Sequence, residues 1–357
     1  MLALKSKYFF SVFLLIQIAA LQLLSYYPKF VEQYYSIGIY PHVALFLRKC
    51  YGLLGFSVGD CLYIGLFCFV LYWFWTQRKQ WHTRWQENGL KILGFWSVGY
   101  FWFHALWALN YYREPLFEKM NINKEYTPTE LLVFTNKIIL KTNNLHKLLN
   151  SNPNLKVVYP YSEEQTFAKA LNGYQKAAVV YTGFEFLTLS TKKSLVSLPL
   201  SYMGFSGYLN PFTNEAQLNY LIPKYGLPAT VTHEMAHQIG YASESECNFI
   251  GFMAAIQNED LYFKYSGYTL ALKYCLSQIR AQDPVAHSAL LKTITPGILK
   301  NFEENQQFQK QYQSYIQTAF EVFYDQYLKA NQQKEGIDSY SKFVGLLVNY
   351  YKTKPLS

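Results

Sequence analysis

Leu227-Pro228-Ala229-Thr230-Val231-Thr232-His233-Glu234-Met235-Ala236-His237-Gln238-Ile239-Gly240 is the stretch on which the reading of this chain turns. Pro228 has the fixed φ that suits the first turn of a helix, and Gly240 suits the residue just past a helix end, so about three turns of helix are predicted between them. Positions i and i+4 of a helix share a face, which brings His233 and His237 together to offer two imidazole nitrogens to one metal ion. Glu234 stands beside that face and reaches a water on the metal rather than the metal itself. Val231, Met235 and Ile239 are left to pack the helix against a core, and a helix so apolar is not a freely solvated surface element.

A catalytic zinc site takes three protein ligands and keeps one position open, so a third ligand is needed nearby. The next carboxylates lie in Ser243-Glu244-Ser245-Glu246-Cys247-Asn248. Ser243 with Glu246 three residues later fits a capping box, which occupies Glu246 at a helix N-terminus. Glu244 is then left over. It shares a face with Asn248, and a tight turn at Gly240 would fold this second helix back toward the two histidines. The expected metal ligands are therefore His233, His237 and Glu244, with Glu246 the competing third ligand, zinc as the cofactor and Glu234 as the general base. A closed structural site would want a fourth Cys or His, and few are near. Cys50, Cys61 and Cys68 lie in or beside the apolar part of the chain, Cys247 and Cys275 fall in the rest, and none forms a CxxC pair. Whether Cys247 and Cys275 pair is left open.

Outward from this stretch, the chain divides in two. Of its 357 residues 19% are aromatic and only 15% charged, against about 25% charged in ordinary soluble domains. The long apolar runs are concentrated before residue 112. Three of them, 8–26, 56–75 and 89–109, are long enough to cross a hydrocarbon core. Lys5 and Lys7 precede the first, as in a signal peptide, but its apolar run is long and no small-x-small cleavage site follows, so it is read as a retained helix. Arg78, Lys79, Arg84 and Lys91 sit between the second and third runs, which makes that loop cytoplasmic and delivers everything after Tyr111 to the outer side. Lys29, Arg48 and Lys49, in the outer loop, count against this bias without reversing it. Trp102, Trp107, Tyr111 and Tyr112 resemble an interfacial aromatic belt, and Asp60 and His104 are read as solvated at the membrane edge. The net charge of +9 does not imply nucleic acid, because no Lys/Arg block interleaves with aromatics as a phosphate-tracking groove needs.

The expected fold class is α+β: three N-terminal transmembrane helices over 1–111, then a mostly helical domain with a small β-sheet over 112–357. Helical periodicity runs over 121–175, with Pro128 and Thr129 opening its apolar stretch. The short apolar runs 177–181 and 195–199 are predicted as strands, Gly204 to Asn210-Pro211 as a loop, and 215–222 as a further strand or extended edge. Helix is expected from there almost to the end, with the Gln-rich 306–313 on a solvated face.

At its HExxH residues the sequence resembles the zincin metallopeptidases, specifically the Glu-liganded gluzincin branch. In integral-membrane members, which include prenyl-protein-processing endopeptidases and beta-lactam-sensing antirepressor peptidases, HExxH is followed by a helix bearing ExxxD. Glu244 to Asn248 matches that motif with Asn in place of Asp, and its spacing from His237 is short for the branch. An Asn oxygen still accepts the hydrogen bond that orients a ligating histidine. Over nearly its full length the chain also resembles an uncharacterised family of bacterial membrane proteins with three N-terminal spans and a zincin-like domain. That likeness rests on Asn110-Tyr111-Tyr112-Arg113, Asn210-Pro211-Phe212-Thr213-Asn214-Glu215-Ala216, the HEMAHQIG stretch, 244–249, Tyr265-Ser266-Gly267-Tyr268 and 336–340.

These readings imply a multi-pass protein of the bacterial inner membrane whose extracytoplasmic domain hydrolyses peptide bonds, zinc polarising water and scissile carbonyl while Glu234 carries the proton. A peptide or protein substrate and the lipid bilayer are the expected partners. The segment 217–222 is expected to pair with an extended substrate as an edge strand, and Tyr265 and Tyr268 are faint candidates for an oxyanion role. Two other readings use the same residues: a zinc-stabilised sensor or binding module without turnover, and a zinc amidase acting on cell-wall material.

Overall fold

The computed structural model describes residues 2–186, 188–333 and 340–356 and is mostly helical around one small sheet. The 336–340 stretch singled out above lies, except for Tyr340, outside the described residues. With shorter turns left unlabelled, the first helices are α1 Leu2–Leu24, α2 Tyr40–Gly52, α3 Val58–Gln77 and α4 Trp85–Leu106. The rest of the chain adds α5 Pro128–Leu149, α6 Glu163–Val180, α7 Ser197–Met203, α8 Leu227–Gln238, α9 Glu244–Gln257 and α10 Leu261–Gln282. It closes with α11 Pro284–Leu291, α12 Pro296–Tyr312, α13 Tyr315–Ala330 and α14 Tyr340–Tyr350.

Local sequence explains where these helices start and stop. Thr127 with Glu130 and Ser162 with Gln165 form complete capping boxes at the heads of α5 and α6. Pro228 opens α8. Its end is a Schellman turn, with Tyr241 N–H donating to Ala236 O at 3.2 Å and Gly240 N–H to His237 O at 3.0 Å. Gly240 adopts φ +90° there, which a side chain would strain, and a Cβ on it would also press on the Tyr40 ring at 2.8 Å.

The sheet has the order β1-β3-β2, from Thr191–Lys193, Gly207–Leu209 and Ala216–Leu218, with β1 parallel and β2 antiparallel to the central β3. Two expected strands are therefore corrected: 177–181 is the last turn of α6 and the residue capping it, and 195–199 enters α7. Segment 215–222 does contribute a strand, but β3 is flanked on both sides and is no edge. Core residues of α8, α9, α10 and α14 pack together, among them Val231, Met235, Phe252, Leu272 and Leu347, each such burial contributing ~1.5–3 kcal/mol. Cys247 and Cys275 are both buried and free.

Of the apolar segments near the N-terminus, α3 is long and apolar enough to cross a membrane. Tyr8–Leu24 and Pro28–Gly52 pass the same test only as a pair, bent by 101°. The third expected span forms α4, which has the length but not the apolar composition. α1 and α4 lie together, with Gln17 Nε2 donating to Ser97 Oγ at 3.1 Å and the Phe13 and Phe101 rings 5.8 Å apart.

The N-terminus of α3 is pinned to the sheet. Glu215 accepts from Val58 N–H at 3.3 Å and from Gly59 N–H at 2.6 Å, a carboxylate at the positive end of a helix. Asp60 accepts from Leu195 N–H at 2.7 Å and from the Tyr208 hydroxyl. Asp60 is thus fully buried as a structural anchor instead of solvated at a membrane edge. The aromatic belt is corrected in the same way: Trp102 is exposed, but Trp107 and Tyr112 are buried in a second core with Tyr40, Leu21 and Ala242.

Candidate metal centre

α8 and α9 form a helical hairpin across the Gly240 turn, and the three expected ligands meet inside it. His233 Nε2 lies 3.2 Å from Glu244 Oε2, and His237 Nε2 lies 3.6 Å from Glu244 Oε1. One ligand atom from each of the three residues lies within 4.8 Å of the others, close enough to hold a metal ion. The remaining ring nitrogens are engaged elsewhere. His233 Nδ1 is 3.0 Å from Asn248 Oδ1, and His237 Nδ1 is 2.8 Å from Tyr241 O. Both partners are acceptors, so each Nδ1 carries the proton and each Nε2 keeps its lone pair for a metal.

Glu246 takes no part in this cluster. Its Oε1 accepts from Leu116 N–H at 2.7 Å, and Ser243 makes no side-chain cap. The expected capping box is absent: Glu244 faces the histidines, and Glu246 instead anchors the chain entering from residue 116.

Glu234 is buried beside the cluster, and its Oε2 has no hydrogen-bond partner among the described residues. Burial pushes its pKa up, against the pull of the two histidines. Burial would do the same to Glu244, but His237 and His233 outweigh it and hold that carboxyl well below the usual range. Close approach to the sheet keeps Glu234 in place: a Cβ on Gly207 would fall 2.6 Å from Glu234 Oε1.

Sequence reasoning missed three contributors. The Tyr324 hydroxyl, from α13, donates to Glu244 Oε1 at 2.6 Å, and burial together with that carboxylate keeps the phenol protonated. Tyr327, one turn on, accepts from the Tyr111 hydroxyl at 3.2 Å. Trp107 Nε1 donates to His237 O at 3.2 Å. Tyr265 and Tyr268 are core residues, Tyr265 donating to Asn301 Oδ1 at 2.8 Å.

The N-terminal part also clamps the end of α8. Tyr40 donates to Gln238 O at 3.0 Å and Arg48 to the same oxygen at 2.8 Å, while Arg113 reaches Gly240 O at 2.5 Å. Arg113 and Lys119 in turn share the Glu32 carboxylate. Arg48 is therefore a buried structural cation.

His233, Glu234, His237, Glu244 and Asn248, with Trp107, Tyr111, Tyr324 and Tyr327, line a cavity of about 950 Å³. One wall is β2. Register with β3 places Ser206, Tyr208 and Asn210 at the hydrogen-bonded positions, so the peptide groups of Gly207 and Leu209 turn away from the sheet. Neither residue's N–H or C=O has a partner among the described residues.

Residues 35–348 match a family described as a protein of unknown function (DUF3810). The chain belongs to that family. No curated protein and no solved structure matches it.

Proposed function

We propose that this chain is a membrane-anchored zinc peptidase. The observation that carries the reading is the convergence of His233, His237 and Glu244 with both Nδ1 atoms already engaged, beside a buried glutamate with a free carboxylate oxygen. Two imidazoles and one carboxylate are a donor set that suits zinc and leaves a coordination position open. Zinc held there supplies a Lewis acid and lowers the pKa of water. Glu234 accepts the proton of the attacking water on Oε2 and delivers it to the leaving amine. The outward-facing peptide groups of Gly207 and Leu209 accept an extended substrate as an added strand. β2 thus takes the role that sequence alone gave to 217–222.

The finer membrane reading belongs with this proposal: three spans formed by α1, α3 and α4, a domain boundary near residue 112, and a bacterial inner membrane with the catalytic part outside. It is supported by the opposite placement, along α3, of the sheet anchors Ser57 to Asp60 and the cationic loop with Arg78, Lys79 and Arg84.

The test is metal content by mass spectrometry on full-length protein in detergent, with cleavage of a randomised peptide library by wild type and Glu234→Gln. The reading expects about one zinc per chain in both and cleavage in wild type alone. Zinc without Glu234-dependent cleavage would leave a zinc-stabilised binding module, and no metal in folded protein would end the proposal.

A further inference from the structure

We infer that the substrate is a polypeptide itself anchored in the bilayer, admitted sideways to the cavity between α3 and α4. This rests on the peptidase reading and narrows it to a substrate class.

The cavity that holds the two histidines and Glu234 is also lined by Tyr63 of α3 and by Phe103 and Trp107 at the end of α4. Tyr63 lies five residues into the helix that is apolar enough to span, roughly 7–8 Å below its first residue at 1.5 Å per residue. The cavity therefore descends past the level at which α3 leaves the sheet.

α3 and α4 do not close this wall. α1 and α4 pack along each other, whereas α3 makes no extensive contact with either among the described residues, and little of it is buried. Its attachments are at its head, through Glu215 and Asp60, and through Tyr63, whose ring stacks on Tyr208 at 6.1 Å. The slot so inferred runs between α3 and α4, which make no extensive contact among the described residues, past Tyr63 and Phe103 of the cavity lining.

The surface beside the head of α3 is apolar. Leu53, 89% exposed, and Phe56, 50% exposed, precede α3, and Leu195 and Leu198, 55% and 52% exposed, stand beside it. Lys192 Nζ fastens Gly52 O at 3.1 Å and Asp60 fastens Leu195, so these side chains are held at the point where α3 enters the membrane. Residues so placed dip into the headgroup region. On the side of α3 and α4 the cavity lining includes Tyr63, Phe103, Trp107, Tyr111 and Leu209. An apolar stretch of chain rising from the bilayer meets aromatic and aliphatic walls, then the open edge of β2, then Glu234.

The test uses full-length protein in vesicles of phosphatidylethanolamine and phosphatidylglycerol. One randomised peptide library is supplied in three forms: free, fused directly to a Leu-Ala anchor of about 20 residues, and fused to the same anchor through a flexible Gly-Ser spacer of about 40 residues. Products are read by mass spectrometry. The proposal expects the directly anchored form to be cleaved at least about tenfold faster than either other form, because the spacer concentrates the library at the membrane without placing it in the slot. Equal rates for the spacer and direct forms would overturn lateral admission while leaving the peptidase reading intact. Glu234-dependent cleavage of the free form alone would do the same. Cleavage of no form would sink both.

Discussion

Arg48 Nη1 donates to Gln238 O at 2.8 Å across 190 residues of sequence, so a cation placed just before the strongest apolar helix closes the C-terminal end of the helix that carries His233 and His237. It also reaches Asn214 Oδ1 at 3.3 Å. Arg48→Ala should cost about 1.5–3 kcal/mol, the range for buried hydrogen bonds to a charged group, seen as a lower midpoint of thermal unfolding in detergent. The same geometry predicts that a fragment beginning at residue 112, which lacks Tyr40, Arg48 and Trp107, holds metal weakly. Full metal retention by that fragment would show that the clamp is dispensable.

Asn248 Oδ1 accepts the proton that His233 carries on Nδ1 and so fixes the tautomer that leaves Nε2 free. Asn248→Ala should weaken metal binding about 10- to 100-fold, as removal of such a partner does, measured by competition with a chromogenic chelator. Asn248→Asp should retain it.

The two glutamates at the head of α9 should separate cleanly. Glu244→Gln should abolish metal retention, since Glu244 faces both Nε2 atoms. Glu246→Gln should keep the metal and lower thermal stability through the Leu116 contact. Mass spectrometry and thermal unfolding on both variants check this, and loss of metal from Glu246→Gln would reassign the third ligand.

Tyr324→Phe removes one hydroxyl and the 2.6 Å hydrogen bond to Glu244. The fold should survive with an unfolding midpoint close to wild type, while chelator competition shows weaker metal retention. An unchanged metal affinity would leave Tyr324 as packing alone.

Acid should unfasten the clamp at Glu32. Burial works to raise the Glu32 pKa, but hydrogen bonds and charge from Arg113 and Lys119 lower it overall. A carboxylate with a depressed folded pKa adds stability that is fully present above its unfolded pKa of about 4.3 and is lost as pH falls through the folded value. Comparing wild type with Glu32→Gln, the gap in unfolding midpoint should be widest near neutrality and shrink below about pH 4. A gap independent of pH would mean the ion pair contributes nothing that titrates.

The site was legible where its chemistry is local. His233, Glu234 and His237 sit on one helix, Pro228 and Gly240 mark its ends, and Glu244 follows within one turn, so spacing alone nearly builds the cluster. Tyr324 was not legible, because it meets Glu244 across 80 residues and no periodicity reports such a distance. The misread strands have a similar cause. Ala177-Ala178-Val179-Val180 looks like a short strand unless its helical register is followed back to the cap at Ser162. Pro199 looks like a terminator but sits in the first turn of α7, where a missing N–H costs little. The membrane-edge readings of Asp60 and Trp107 failed because each has a partner far along the chain, which an apolar boundary does not reveal.

The clamp on α8 also orders events during synthesis. Tyr40, Arg48 and Trp107 leave the ribosome long before Gln238, and chains fold from the N-terminus as they emerge. Until the chain from Asn214 to Gln238 arrives, Arg48 has neither Asn214 nor the Gln238 carbonyl, and the first turn of α3 stands without Glu215. The half-made protein thus carries a cation and amides whose partners lie in the later segment from Asn214 to Gln238. In this arrangement the early helices wait on the later chain, and the end of α8 is closed only once Gln238 and Gly240 have been made.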